Sequence, residues 1–163
     1  DAVRRPDIIH TSAMRLLGGD LTDCPPHEYD ANITDGCAVA DMLGEPRERV
    51  FKTLVTVSGN GEHLVFVVPV CRELDLKAAA RAAGVKSVAM IKQKELEPLT
   101  GYVHGGCSPV GMKKRFRTFF DESAPAFDTI FVSAGRRGVQ MEVSPAALAA
   151  YCGASFVPLS SKE

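Results

Sequence analysis

The pattern of apolar and polar positions predicts a β-hairpin near the middle of the chain. Segments 51–58 and 63–70 are rich in Val, Phe and Thr, and Gly59-Asn60-Gly61 lies between them. β-branched and aromatic residues favour strands, and an Asn-Gly pair between two such segments favours a tight turn. The sequence therefore predicts two antiparallel strands joined at this glycine-rich turn.

Helices are predicted where a capping residue precedes apolar residues at helical spacing and a glycine follows them. Asp35 and Gly44 enclose one such segment, and Asp75 and Gly84 enclose another. In chain order, the predicted helices are a short one after Thr11-Ser12 that includes Ala13, Leu16 and Leu17, one after Asp35 in which Ala38, Val39 and Met42 share a face, and the segments 76–83, 94–99 and 146–151.

Further strands are predicted from short segments rich in β-branched and aromatic residues. Strands outnumber long helices and sometimes follow one another directly, which favours a mixed sheet with helices packed around it over a regular βαβ array. We therefore expect an α/β protein of the mixed α+β type, folded as a single domain. The additional predicted strands are 85–91, 100–103, 118–120, 129–132 and 155–157.

Composition narrows the class of protein. The chain has 163 residues, of which 45% are hydrophobic and 24% charged, as in a soluble globular domain. Its formal net charge of −1 does not by itself indicate a nucleic-acid partner, so any RNA contact must come from a local patch. No apolar run is long enough to span a bilayer, and the first residues do not lead into a signal-peptide core. We expect a cytoplasmic protein without a membrane partner.

The cysteines give no sign of a disulfide framework or a zinc site. They are odd in number and widely spread, and no two of them form a C-x-x-C motif. Reduced thiols are therefore expected at all five positions, which are Cys24, Cys37, Cys71, Cys107 and Cys152.

Lys52 is unusual because it lies within a strand that is mostly apolar on both faces. Burying an unpaired ammonium group is costly. The side chain therefore either extends to solvent from the end of the strand or faces a cleft that holds an anionic or carbonyl-bearing ligand. Position alone leaves both interpretations open.

A glycine-rich loop, His104-Gly105-Gly106-Cys107-Ser108-Pro109-Val110-Gly111, is the second candidate for chemistry. Paired glycines reach backbone conformations closed to other residues, and Pro109 favours an extended Ser108. Such a loop could direct successive backbone N–H groups toward one point, which suits a developing oxyanion. The same residues also form ordinary turns.

Four segments occur in the order and spacing of a known family. They are Phe51-Lys52-Thr53-Leu54, Leu74-Asp75-Leu76-Lys77, the loop segment 105–114, and the segment 132–138. Together they resemble the YbaK/EbsC group of free-standing aminoacyl-tRNA deacylases, from about Tyr29 to the C-terminus. The resemblance implies one editing domain over residues 1–163 with a YbaK-like fold, in which a mostly antiparallel, barrel-like sheet is surrounded by helices.

The resemblance also implies roles for individual residues. Lys52 matches the lysine most closely tied to activity in this family, and Gln140 stands where some members have an aspartate. Glu142 would share a strand face with Gln140, but it is not assigned that role. The implied catalytic residues are Lys52, Gly106 and Ser108, and the implied substrate-binding residues are Tyr29, Thr53, Gly105, Cys107, Pro109, Gly111 and Gln140.

The implied activity is trans-editing, the cleavage of the ester in mischarged tRNA, with Cys-tRNA(Pro) as the substrate. The attacking group is either water or the thiol of the substrate, which would make the cleavage lyase-type. Two alternatives stay open: a deacylase for Ala-tRNA(Pro) or another small amino acid, and a non-catalytic module that binds tRNA or a synthetase. The implied partners are the acceptor end of mischarged tRNA and, transiently, prolyl-tRNA synthetase.

Neither a metal nor a cofactor is expected. His104 and Cys107 form an H-x-x-C pair, which by itself occurs too often to indicate a nucleophile or a metal ligand. Because the ester is already activated, a pocket that positions it and stabilises the oxyanion would be sufficient.

Basic residues next to the loop are candidates for phosphate contacts. One run directly follows the loop and a second lies in the segment 132–138. A charge run is usually a solvated face, but the first run follows the candidate loop directly, where the phosphates of an RNA acceptor end would lie. The predicted tRNA phosphate contacts are Lys113, Lys114, Arg115, Arg136 and Arg137.

Overall fold

The computed structural model describes residues 13–14 and 26–161. The predicted N-terminal helix after Thr11-Ser12 therefore lies mostly outside the described residues, although Ala13 and Met14 are helical. From residue 26 onward the elements are β1 (Pro26–Glu28), α1 (Gly36–Leu43), a 3₁₀ helix (Arg47–Arg49), β2 (Phe51–Ser58), β3 (His63–Pro69), α2 (Leu76–Ala83), β4 (Val88–Met90), α3 (Gln93–Thr100), β5 (Arg117–Asp121), a second 3₁₀ helix (Ala124–Ala126), β6 (Ile130–Arg136), β7 (Val139–Val143), α4 (Pro145–Cys152) and β8 (Ser155–Val157).

The strands form two sheets, which confirms the predicted mixed α/β fold. The larger sheet has the order β4-β2-β3-β5-β8, and the smaller has the order β1-β7-β6. Strands β3, β5 and β8 are parallel to one another, and the other neighbouring strands are antiparallel. A parallel bridge between Val50 and Phe131 joins the two sheets. Over the described part of the chain, the sheets meet at this seam and do not close into a full barrel.

The predicted hairpin is confirmed. β2 and β3 pair in antiparallel register from Phe51 opposite Pro69 to Val57 opposite His63. Gly61 has a φ of +87°, a conformation that L side chains rarely adopt, so the turn requires a glycine at this position.

The apolar core has one layer on each face of the larger sheet. Between the two sheets, Phe51 and Val67 pack with Val132 and Met141. On the opposite face, Leu64, Phe66 and Val68 pack with Ala79 and Ala80 of α2, whose small side chains let the helix approach closely. Each large apolar side chain buried in this way stabilises the fold by about 1.5–3 kcal/mol.

Three predicted elements differ in detail. Met42 is 55% exposed, and α1 instead buries Val39 and Ala40. The strand predicted over 100–103 is wrong because Thr100 ends α3, donating its hydroxyl to the Leu96 carbonyl 2.7 Å away. The strand predicted over 85–91 is reduced to β4. Strand β7 was not among the predicted strands, although it places Gln140 and Glu142 on one face as expected.

The expectation that every cysteine is reduced is wrong for one pair. Cys37 and Cys71 form a disulfide that links the start of α1 to the residue after Val70. Their sequence separation is 34, and only the fold brings them together. Cys107 and Cys152 are free thiols, and Cys24 lies outside the described residues.

No helix among the described residues is long and apolar enough to cross a membrane.

Asp121 fastens the C-terminal segment to the larger sheet. It lies at the end of β5 and is 2% exposed. Its Oδ1 accepts hydrogen bonds from the Leu159 and Ser160 N–H groups, each 3.0 Å away, and its Oδ2 accepts from the Ser123 hydroxyl at 2.6 Å. Burial alone would raise the pKa of Asp121, but these hydrogen bonds outweigh it and lower the pKa.

Asp121→Asn should therefore destabilise the fold by about 1.5–3 kcal/mol, because one charged acceptor becomes an amide donor facing Ser123. Since the folded-state pKa of Asp121 is depressed, its ionisation stabilises the protein above the unfolded pKa of about 4, and this stabilisation is lost as pH falls through the folded pKa. Urea denaturation from pH 7 to pH 3 measures the effect. The exposed Asp128→Asn is the control, and a stability gap between Asp121→Asn and wild type that does not narrow in acid would contradict the assignment.

Candidate active site

A cavity of about 330 Å³ opens where one edge of β2 is uncovered. On that edge, β4 pairs only with residues 56–58, and the bridge to β6 lies at Val50. Residues 51–54 have no strand beside them there, within the described part of the fold. Both faces of the strand and its edge are therefore accessible at this point, and five successive residues, 50–54, line the cavity.

The packing on either side explains why the space stays open. Phe51 belongs to the core between the sheets, whereas Val55 belongs to a separate cluster that includes Leu96 and Leu99 of α3. Thr53 lies between these two clusters. The remaining walls come from the start of α1, the glycine loop, α3 and the smaller sheet; they include Tyr29, Thr34, Asp35, Gly36, Val39, Val70, Leu96, His104, Gly105, Cys107, Ser133 and Gln140.

The structure brings together six of the residues expected at the site and separates four others from them. Tyr29, Lys52, Thr53, Gly105, Cys107 and Gln140 line the cavity. Gly106 and Ser108 are in the loop but do not line it, and Pro109 and Gly111 line a second cavity of about 240 Å³. The loop thus has one cavity on each side.

Lys52 is half-buried in the wall of the first cavity. Burial lowers the pKa of its ammonium group, while the nearby charges of Glu73 and Asp35 partly oppose the shift. Its ammonium group makes no hydrogen bond or ion pair with any described residue. A half-buried cation without a direct partner is poised to bind an anionic or carbonyl oxygen in the cavity.

The two glycines of the loop have different structural roles. Gly105 has a φ of +86°, and a Cβ there would lie 2.9 Å from Thr34 Cγ2. Gly106 has no such conformational need, but a Cβ there would lie 3.0 Å from the backbone of Arg136 and Arg137. Both positions therefore require glycine, Gly105 for the shape of the cavity wall and Gly106 for packing of the loop onto the β6–β7 turn.

The backbone donors of the loop are only partly free. The Gly106 N–H donates to the Val103 carbonyl at 2.9 Å. The Val110 N–H donates to Ser108 Oγ at 3.3 Å, so the fully buried Ser108 shapes the loop from inside. The N–H groups of Gly105 and Cys107 have no acceptor among the described residues, and both residues line the cavity. Both N–H groups are therefore available as donors to an oxyanion.

Cys107 does not have the environment of a nucleophile. Burial raises the pKa of its thiol to about 12, so it stays protonated near neutral pH. The exposed His104 uses its carbonyl to accept a hydrogen bond from Arg137 Nε at 2.8 Å. Across the described ranges, no group of three His, Cys, Asp or Glu side chains could hold a metal ion.

Gln140 and Glu142 are close in sequence but have different environments. Gln140 is 6% exposed and lines the cavity. Glu142 instead forms a clamp outside it, accepting from Thr129 at 2.7 Å, Arg49 at 3.0 Å and His27 at 3.1 Å. The hydrogen bond from Thr129 is the main cause of its lowered pKa. Glu142 therefore supports the smaller sheet and does not supply a carboxylate to the cavity.

The basic residues do not form one continuous surface. Arg137 lies beside the cavity, where its Nε donates to the carbonyl of the lining residue His104. Lys114 and Arg115 line the second cavity. Arg136 and Lys113 are exposed, Arg136 on the turn behind Gly106. Of these predicted phosphate contacts, Arg137 is the one adjacent to the candidate site.

Sequence reasoning missed the contribution of α1. Asp35 was identified only as a helix cap, but its side chain makes no capping hydrogen bond and it lines the cavity. Thr34 and Ser133 were not identified at all. In the sequence, only their positions could have indicated these residues: Thr34 precedes the capping residue, and Ser133 lies in the segment 132–138 that carries the family resemblance.

Comparisons with known proteins show the family. Residues 31–151 match the model of the aminoacyl-tRNA editing domain. A protein of Enterococcus faecalis with the provisional name Cys-tRNA(Pro)/Cys-tRNA(Cys) deacylase EbsC is 47% identical over 157 residues, which cover 94% of each chain. The chain belongs to the aminoacyl-tRNA editing domain family.

Solved structures show that the fold is shared more widely. One, titled as a provisional trans-editing enzyme for prolyl-tRNA synthetase, has a TM-score of 0.79 at 24% identity and covers 94% of this chain and 100% of its own. Another, a scaffold used for epitope backbone grafting, has a TM-score of 0.79 at 22% identity and covers 94% and 99%.

Gly105→Ala tests whether the loop shapes the site. The added methyl group would press on Thr34 in the cavity wall, and we expect deacylation of mischarged tRNA to fall by about a hundredfold. Gly61→Ala is a matched control, because Gly61 has nearly the same φ, +87°, but a Cβ there meets nothing within 4 Å. Both variants should lose about 1–3 kcal/mol of stability from backbone strain. Equal activity of the two folded variants would mean that the loop is only a turn.

Cys107→Ala should keep most of its deacylation activity, because the protonated thiol is not a nucleophile. Single-turnover kinetics with mischarged tRNA measure the chemical step directly. A fall of several orders of magnitude with unchanged substrate binding would instead indicate covalent catalysis by Cys107.

Proposed function

We propose that this protein is a trans-editing aminoacyl-tRNA deacylase that cleaves the ester of Cys-tRNA(Pro). Membership in the editing family and 47% identity to a relative named for Cys-tRNA deacylation support the reaction class and the substrate. The observation that carries the site assignment is Lys52, a half-buried lysine with a lowered pKa and no direct partner, in a cavity bordered by the glycine loop.

The cavity favours catalysis by positioning. The bound ester carbonyl would face Lys52 and the free N–H groups of Gly105 and Cys107, which stabilise the negative charge that develops on its oxygen. Water attacks the carbonyl carbon, the bond to the ribose oxygen breaks, and the tRNA leaves with its hydroxyl restored. If the substrate thiol attacks instead, the same bond breaks and a cyclic thioester forms. Neither route needs a nucleophile from the protein.

Arg137 is placed to orient the tRNA. Its Nε is bonded to the His104 carbonyl at the cavity, and no ion pair joins its guanidinium to an acidic side chain in the described structure. We propose that it binds a phosphate of the acceptor end, with Arg136 next to it on the same turn. Contact with prolyl-tRNA synthetase would be transient.

Lys52→Met is the decisive variant. We expect kcat/KM for Cys-tRNA(Pro) to fall by about a hundredfold to a thousandfold, as when a charge-stabilising donor is removed. The melting temperature should not fall, because burial lowers the pKa of Lys52 and its charged form therefore costs folding free energy below that pKa. For the same reason, wild-type activity that depends on the ammonium form should decline with rising pH before a solvent-exposed lysine would titrate.

The exposed Lys86→Met is the control, and a panel of Cys-, Ala- and Pro-charged tRNA(Pro) gives the specificity. Preference for Ala-tRNA(Pro) would redirect the substrate assignment, and binding without any turnover would favour a non-catalytic module. An unfolded Lys52→Met protein, or one with full activity, would remove Lys52 from the site.

A further inference from the structure

We propose that Thr53 and Gln140 form the subsite that binds the α-ammonium group of the amino acid carried by the tRNA. The proposal rests on the deacylase function above and deepens it, because it assigns the part of the substrate that the cavity recognises.

The starting observation is a pair of unsatisfied oxygens. Among the described residues, the buried side-chain nitrogen and oxygen atoms without a hydrogen-bond partner are Thr53 Oγ1 and Gln140 Oε1. Both residues line the same cavity, although they come from different sheets. Leaving a buried polar group unsatisfied costs about 1–3 kcal/mol, so folded proteins retain few of them. Gln140 Oε1 can only accept, and Thr53 Oγ1 can accept as well as donate, so together they suit a ligand that donates hydrogen bonds.

The uncovered strand edge adds a third acceptor. In β2 the even-numbered residues exchange backbone hydrogen bonds with β3, since the Val50 carbonyl accepts from Val70 and the Ser58 N–H donates to Glu62. Backbone groups alternate in direction along a strand, so the Thr53 carbonyl points away from β3, toward the open edge. Thr53 therefore offers its carbonyl as well as its hydroxyl, and its N–H, which points the same way, is a further donor at this edge.

The number and type of these groups match an ammonium ion. An α-ammonium has three N–H donors and no acceptor, whereas a ribose hydroxyl has one donor. Thr53 and Gln140 together offer three acceptor oxygens, which equals the number of donors on an ammonium group. The ester carbonyl has the opposite requirement, and its donors come from Lys52 and the loop N–H groups. Donors and acceptors in the cavity thus correspond to the two ends of an aminoacyl group.

A neutral amide has a specific advantage here. A carboxylate at position 140 would add an anion to the cavity that contains Lys52 and would compete with the substrate for its charge. Gln140 can accept a hydrogen bond from an ammonium group without adding a charge to the cavity. Asp35, which also lines the cavity, supplies the negative charge that offsets a second cation near Lys52.

The experiment combines two substrates with variants at the subsite. Cys-tRNA(Pro) is compared with the same tRNA carrying the acid in which a hydroxyl replaces the α-amino group. Gln140→Met and Thr53→Val remove the side-chain acceptors at nearly constant volume. Gln93→Met, at an exposed position in α3, is the matched control. KM and kcat are measured for each pair, with melting temperatures.

We expect Gln140→Met to raise KM for the amino substrate by about tenfold, which corresponds to about 1.4 kcal/mol, with a smaller change in kcat. The KM of the hydroxy substrate should rise less in Gln140→Met, because a hydroxyl has one hydrogen-bond donor where the ammonium group has three. Neither variant should have a lower melting temperature, since the oxygens removed have no partner in the free protein.

The outcomes separate the two levels of inference. If wild type does not deacylate Cys-tRNA(Pro) or any other mischarged tRNA, the proposed function fails. If wild type is active but Gln140→Met leaves KM unchanged, or raises it equally for both substrates, the ammonium subsite is overturned while the deacylase assignment stands. A lower melting temperature for both subsite variants would show that the oxygens have a structural role, and this too would overturn it.

Discussion

The candidate site depends on one constraint, the failure of β2 to find a strand partner along part of its edge. The bridge at Val50 joins β2 to the smaller sheet, and β4 pairs with it again only from Thr56. Between these points the strand presents backbone groups and both rows of side chains to a cavity. Without that interruption, Lys52 would lie in a continuous sheet and Thr53 would be covered by its neighbours.

The site therefore retains polar groups that the fold leaves unsatisfied. Lys52 has no direct partner, and Thr53 Oγ1 and Gln140 Oε1 have no hydrogen bonds. Elsewhere, comparable groups are fully bonded: Asp121 accepts from Ser123, Leu159 and Ser160, and Glu142 from three residues. Because the contrast lies within one small domain, the unsatisfied groups are a local property of the cavity and not a result of loose packing in general.

Local signals predicted much of the fold. The hairpin, α2 between Asp75 and Gly84, and β8 follow from turn chemistry, capping and β-propensity, all of which act over a few residues. The segment 100–103 shows the limit of propensity, because Thr100 returns its hydroxyl to the preceding turn and ends a helix instead of starting a strand. The Cys37–Cys71 disulfide depends on a long-range approach that spacing does not encode.

The candidate site also contains residues that the sequence identified and residues that it did not. Lys52 and the glycine loop were accessible from residue type and family likeness, whereas the facing of Asp35 into the cavity was not, since an aspartate before a helix already has a local explanation. Likewise, nothing in the sequence indicated that Gly106, which was expected to serve the substrate, packs against the turn at Arg136. Tertiary packing decides which neighbour a glycine must accommodate, and the sequence alone does not show that packing.

The uncovered edge of β2 also bears on solubility. Unpaired strand edges are templates on which another chain can add a strand, and natural proteins protect them with charged side chains, lysine above all, or by covering them. Here the glycine loop and α3 border the edge, and the space beside it is about 330 Å³. Lys52 places a cation at the same position. The uncovered edge is thus short, bordered on two sides and next to a cation, and each of these features disfavours the addition of a strand from another copy of the chain.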